Sequence, residues 1–118
     1  LILVGVSRVG KTPAALTLAL QYGLRVANYP LTPEDLAVDR LPAALQASLP
    51  RLRGLTVSAE RLAQIRETRY PGSRYASLEQ CRIELASADR LFSQYRIPVI
   101  DSTRMSVEEM AARLRHTT

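Results

Sequence analysis

A chain of 118 residues that is 47% hydrophobic fits one domain with a modest core. Its net charge of +5 favours anionic ligands, but the arginines are scattered and aromatics are scarce, which argues against a nucleic-acid surface. A single cysteine rules out an internal disulfide, and no apolar run approaches the roughly 18 to 20 residues that span a bilayer, so a cytoplasmic protein without a membrane partner is expected.

In chain order, residues 1–4 are a short apolar run ending at glycine, the pattern of a buried parallel strand that feeds a loop. Gly5, Val6, Ser7, Arg8, Val9, Gly10, Lys11 and Thr12 then spell G-x-x-x-x-G-K-T. In such a loop the backbone N–H groups converge on phosphate oxygens, and glycines let that backbone curl close to them. The following helix adds the partial positive charge of its N-terminus, Lys11 reaches the outer phosphates, and the Thr12 hydroxyl is placed to ligate Mg²⁺. Lys11 is the only lysine in a chain that otherwise uses arginine. A compact ammonium fits between phosphate oxygens where a planar guanidinium does not.

A helix is expected over residues 12–22, with Pro13 in its first turn, Leu16, Leu18, Ala19 and Leu20 clustered along it, and Gly23 at its end. A second strand over 24–27 closes a strand, loop, helix, strand unit, the context a phosphate loop requires. Residues 28–50 contain four prolines and read as loop with one short helix near 43–48. A third strand runs from about 52 to 57, and Ser58 caps a helix to about 69 on which Leu62 and Ile65 face inward. Arg61, Arg66 and Arg69 are not expected to join them all.

The Tyr-Pro-Gly-Ser run at 70–73 is a break. The Ser77 to Gln80 run matches a capping box and opens a helix to about 94, with Leu78, Cys81, Leu85 and Phe92 on its apolar side. Residues 97–101 form a further buried strand with Pro98 near its start, and the Ser106 to Glu109 run is a second capping box for a helix to about 115. Strands alternating with helices predict an α/β three-layer sandwich with a parallel sheet, P-loop kinase-like.

Beyond the loop, Asp101 at a strand end has two readings, an orderer of Mg²⁺ through water or a cap for the turn at Ser102 and Thr103. Arg61, Arg66, Arg69 and Arg74 flank the 70–73 break, as mobile arginines do when they close over a transferred phosphoryl group. Cys81 reads as core and His116 as incidental at the chain end. No Cys/His metal cluster and no Ser-His-Asp pattern can be assembled.

Taken with the loop, Ala27-Asn28-Tyr29-Pro30, Gly54-Leu55-Thr56, Glu60-Arg61-Leu62, Ile65-Arg66, Ser73-Arg74-Tyr75-Ala76-Ser77-Leu78 and Ser106-Val107-Glu108-Glu109 resemble one family in order and spacing. It is the bifunctional kinase and pyrophosphorylase family that regulates phosphoenolpyruvate synthase, related to the regulator of pyruvate, phosphate dikinase. The resemblance implies a phosphotransferase, an ADP-dependent serine/threonine-protein kinase. ADP donates a phosphoryl group to a threonine of the target, and inorganic phosphate later removes it as pyrophosphate. It implies that residues 1–118 are the C-terminal nucleotide-binding domain of a longer protein whose N-terminal region is absent, and it leaves room for a homodimer. Residues 5–12 would hold the diphosphate, with Mg²⁺ at Thr12 and catalytic roles for Lys11, Asp101 and Arg66. The Gly10 loop and the 74–78 segment resemble the synthase regulators more than the dikinase regulators. Two rivals use the same loop differently, a small-metabolite kinase and a non-catalytic nucleotide-sensing module.

Overall fold

The apolar run at the chain start becomes an inner strand. In the computed structural model, which describes residues 1–117, β1 (Ile2–Val6) lies between β2 (Ala27–Leu31) and β3 (Leu52–Thr56), and β4 (Val99–Asp101) pairs with β3. The sheet is all parallel, in the order β2-β1-β3-β4. Leu3, Val4 and Val6 are fully buried, as expected for a parallel strand covered on both faces. On one side α1 (Lys11–Tyr22) packs against α6 (Val107–His116); on the other α4 (Ala59–Arg69) packs against α5 (Leu78–Gln94), which lies over β1 and β3. The α/β three-layer architecture with a parallel sheet is therefore as expected. No helix among the described residues is long and apolar enough to cross a membrane.

Several local expectations need correction. β2 begins at Ala27, not at 24, because Leu24, Arg25 and Val26 carry the chain from the helix layer back to the sheet, where Ala27 N–H donates to Leu1 O at 3.0 Å. As an edge strand it tolerates Pro30, which has no N–H to give. Within the stretch expected to be mostly loop, α2 (Pro33–Ala37) forms, followed by α3 (Ala43–Gln46) and a 3-10 turn at Leu49–Arg51. α2 starts at a reciprocal cap: Thr32 Oγ1 accepts from Asp35 N–H at 3.2 Å while Asp35 Oδ2 accepts from Thr32 N–H at 3.0 Å. The two expected boxes are only half made. Ser77 and Ser106 cap α5 and α6 through their hydroxyls, but the Gln80 amide turns inward to Glu84 instead of back to the cap. Leu16 and Leu20 are exposed; the buried stripe of α1 is Lys11, Ala14 and Leu18, a helical spacing that points Lys11 inward.

Candidate functional site

β1 delivers the chain to the carboxyl edge of the sheet, and the chain reaches β2 on one side and β3 on the other. The crevice outside strand ends at such a reversal is where open α/β sheets hold ligands. The loop that leaves β1 turns at once, with Val9 N–H donating to Val6 O at 3.3 Å. Its two motif glycines serve different needs. Gly10 has φ 112°, a left-handed conformation that a side chain resists, and it caps α1 without any side-chain group in the way. Gly5 is required for space: a Cβ there would lie 2.8 Å from Val9 Cγ1 and 2.9 Å from Leu55 O. Since Leu55 O belongs to the β3 backbone, Gly5→Ala is expected to destabilise the fold by about 1–3 kcal/mol, read as a lower urea midpoint at unchanged slope.

Lys11 is 6% exposed and its ammonium donates to Val6 O at 2.7 Å. Burial, reinforced by the nearby Arg66 cation, lowers its pKa from 10.5 to about 8. The sign of the linkage follows. Between pH 8 and 10.5 the unfolded chain keeps a proton that the native lysine has released, so this group makes stability rise with pH across that window. A bound phosphate reverses the effect, because it favours the ammonium. Phosphate-ligand binding is expected to take up a proton above pH 8 and to weaken as pH rises further, measurable by calorimetry in buffers of different ionisation enthalpy.

The N-terminus of α1 lacks both a side-chain cap and any acidic residue in its first turn, whereas α4, α5 and α6 each have a serine cap and a first-turn glutamate. Its free N–H groups and dipole therefore suit an external anion. They open on a cleft of about 570 Å³ lined by Ser7, Arg8, Gly10, Lys11, Thr12 and Pro13, with Asn28 and Pro30 from β2 and Ile65 from α4. The exposed Thr12 offers its hydroxyl oxygen at this edge, which fits a Mg²⁺ ion carried mainly by phosphate oxygens.

Arg66 faces inward, against the expectation of a mobile arginine. It is fully buried in the α4–α5 layer. Its guanidinium forms a fork with Glu84, at 2.9 Å to Oε1 and 3.2 Å to Oε2, and donates to Tyr75 O at 2.9 Å. It also donates to Ser7 O from Nη2 at 3.0 Å and stacks 4.0 Å from the centroid of the Tyr75 ring. Burial alone would lower its pKa; the Glu84 hydrogen bonds and charge more than offset this and raise it. The Tyr75 hydroxyl is hydrogen-bonded to Ser7 Oγ. Arg66 thus anchors the loop at Ser7, a positioning role, while Arg61, Arg69 and Arg74 remain exposed.

Asp101 makes the cap that was one of its two readings. Its Oδ1 accepts from Thr103 N–H at 3.0 Å and from the Thr103 hydroxyl at 2.5 Å, and Thr103 Oγ1 accepts in turn from Ser58 N–H at 2.9 Å. Its carboxylate is exposed and does not line the cleft. Cys81 is buried, and burial raises its thiol pKa, as befits core. His116 closes the last turn of α6 with Arg113 and Arg115.

The family model described as kinase/pyrophosphorylase matches residues 1–114. The chain belongs to the kinase/pyrophosphorylase family. It is 73% identical over 115 residues to a protein of Thiobacillus denitrificans named as a phosphoenolpyruvate synthase regulatory protein, a match covering 98% of this chain and 45% of that one. A protein of the same name from Nitrosomonas eutropha is 55% identical over 111 residues, covering 94% and 40% of the two chains. Another, from Legionella pneumophila strain Paris, is 51% identical over 114 residues, covering 97% and 42%. The chain spans less than half the length of these relatives.

Within this kinase/pyrophosphorylase chain, reading the sequence missed Glu84 as the partner of Arg66, together with Asn28 and Ile65 as walls of the cleft. Glu84 carried a usable signal. It lies at the spacing of the apolar stripe of α5, between Cys81 and Leu85, where a carboxylate is tolerated only if it is paired.

Proposed function

We propose that the cleft beside residues 5–12 binds ADP and that the full-length protein uses it to phosphorylate a threonine of phosphoenolpyruvate synthase. In the forward step the threonine Oγ attacks the β-phosphorus, the bond from that phosphorus to the α-phosphate oxygen breaks, AMP leaves and the hydroxyl proton goes to solvent. In the opposite step an oxygen of inorganic phosphate attacks the phosphothreonine phosphorus, the bond to threonine Oγ breaks and that oxygen takes a proton, releasing pyrophosphate. The observation that carries this reading is the convergence of the buried Lys11 ammonium and the uncapped start of α1 on one cleft.

Both reactions need a cradle for two linked phosphates, which residues 5–12 would supply through backbone N–H groups and Lys11. Mg²⁺, when bound, would neutralise phosphate charge beside the Thr12 hydroxyl. Arg66 would act by holding the loop carbonyl of Ser7 in place. The kinase/pyrophosphorylase membership supports both directions, and the relatives' name supports the target and, with it, a cytoplasmic location. No step is assigned to Asp101.

The test uses full-length protein, phosphoenolpyruvate synthase and ADP labelled in its β-phosphate. Label on a synthase threonine, released as pyrophosphate when unlabelled phosphate is added, is the expected result. ATP-dependent phosphorylation of a small metabolite would overturn the reading in favour of a metabolite kinase, and nucleotide binding without any transfer would favour a sensing module.

A further inference from the structure

Residues Ser7 and Arg8 form a wall common to two cavities. One is the cleft described above; the other, about 390 Å³, lies between the loop and the α4–α5 connection and is lined by Ser7, Arg8, Tyr70, Ser73 and Tyr75. We propose that this second cavity is the acceptor subsite, which takes the threonine-bearing segment of the protein substrate in the forward step and its phosphothreonine form in the reverse step. The proposal rests on the reading given under Proposed function.

Three observations carry it. Ser7 and Arg8 line both cavities, so the second lies directly beside the donor cleft, where an acceptor has to be held. The lining suits an acceptor that gains a phosphoryl group. No carboxylate lines it, and the exposed Arg8 makes no ion pair among the described residues. A phosphothreonine would therefore meet a free cation and no opposing charge.

The walls are also built in advance. Tyr70 and Tyr75 stand edge to face, with ring centroids 5.4 Å apart at 87°, and Tyr75 is held on its ring by Arg66 and at its hydroxyl by Ser7. Such a wall gives a polypeptide segment apolar contact at low ordering cost. Tyr70 is 47% exposed, so the cavity is reachable from outside. The cavity's volume admits a side chain with its flanking backbone.

The test compares wild-type, Tyr70→Ala and Tyr70→Phe full-length proteins. The readouts are direct binding of phosphoenolpyruvate synthase without nucleotide, the KM for synthase in ADP-dependent transfer, and the Kd for ADP. Tyr70→Ala is expected to weaken synthase binding and raise its KM about tenfold while the ADP Kd stays within about twofold, and Tyr70→Phe, which keeps the edge-to-face contact, is expected to restore both. Unchanged synthase binding in Tyr70→Ala, or an ADP Kd that rises in step with it, would overturn the proposal. If the wild-type protein transfers nothing from ADP, the functional reading fails, and the synthase-binding comparison still decides the cavity.

Discussion

Glu84→Ala is expected to destabilise the protein by about 3–5 kcal/mol, the largest effect anticipated for any single substitution in it. The guanidinium of Arg66 has no exposure to solvent, and among the described residues Glu84 alone forms an ion pair with it. With the carboxylate gone, the cation either stays buried and unpaired or must leave the α4–α5 layer. Leaving would release the Ser7 and Tyr75 carbonyls and the Tyr75 ring at the same time. Glu84→Gln keeps the shape and an acceptor for one arm of the fork, so it is expected to lose less. Urea denaturation of the three proteins checks this: an unfolding free energy for Glu84→Ala within about 0.5 kcal/mol of wild type, the range of an unremarkable surface change, would mean that Arg66 reaches solvent easily and does not anchor the loop.

Lys11→Ala is expected to weaken ADP binding about a hundredfold, ~3 kcal/mol, within the range for truncating one partner of a buried charge pair. Stability should change little, because two effects oppose each other. The variant leaves Val6 O without its partner, yet it also removes an ammonium that burial and the nearby Arg66 cation disfavour. Lys11→Arg is expected to bind as poorly, since the buried position has no room for a planar fork. Titration calorimetry near pH 7, with a melting curve for each variant, separates lost affinity from lost fold. Retained affinity in Lys11→Ala would remove the lysine from the phosphate site.

These two residues differ in how far they could be read without the structure. Lys11 was legible twice over, from its motif and from being the only lysine. Its helical spacing to Ala14 and Leu18 places it on the buried stripe, whereas the more conspicuous Leu16 and Leu20 are exposed. Arg66 reads from the sequence as a mobile arginine and is a buried anchor of the loop in the structure. Arginines beside a Tyr-Pro-Gly-Ser break look like mobile phosphate clamps, and nothing within a turn of Arg66 announces the carboxylate that buries it. Asp101 shows the converse case. A strand-end aspartate at the carboxyl edge of a parallel sheet suits metal chemistry, but its neighbour Thr103 is close enough to satisfy it locally.

The sequence alone determined the features that depend on neighbours a few residues away: the alternation of the four strands with the longer helices, the serine caps at Ser58, Ser77 and Ser106, the G-x-x-x-x-G-K-T loop between a strand and a helix, and the family to which these belong. Helical periodicity, turn chemistry and caps act over one turn of chain, so they can be read without knowing what packs where. The tertiary structure alone decided which arginine is buried, why Gly5 admits no Cβ, where β2 enters the sheet and how the loop is divided between two cavities. Each of these depends on groups far apart in sequence: Glu84 lies 18 positions from Arg66, Arg66 lies 59 from Ser7, and Tyr75 lies 68 from Ser7. Burying a charge or closing a cavity is a question of which distant atoms arrive beside it, and only the folded chain brings them together.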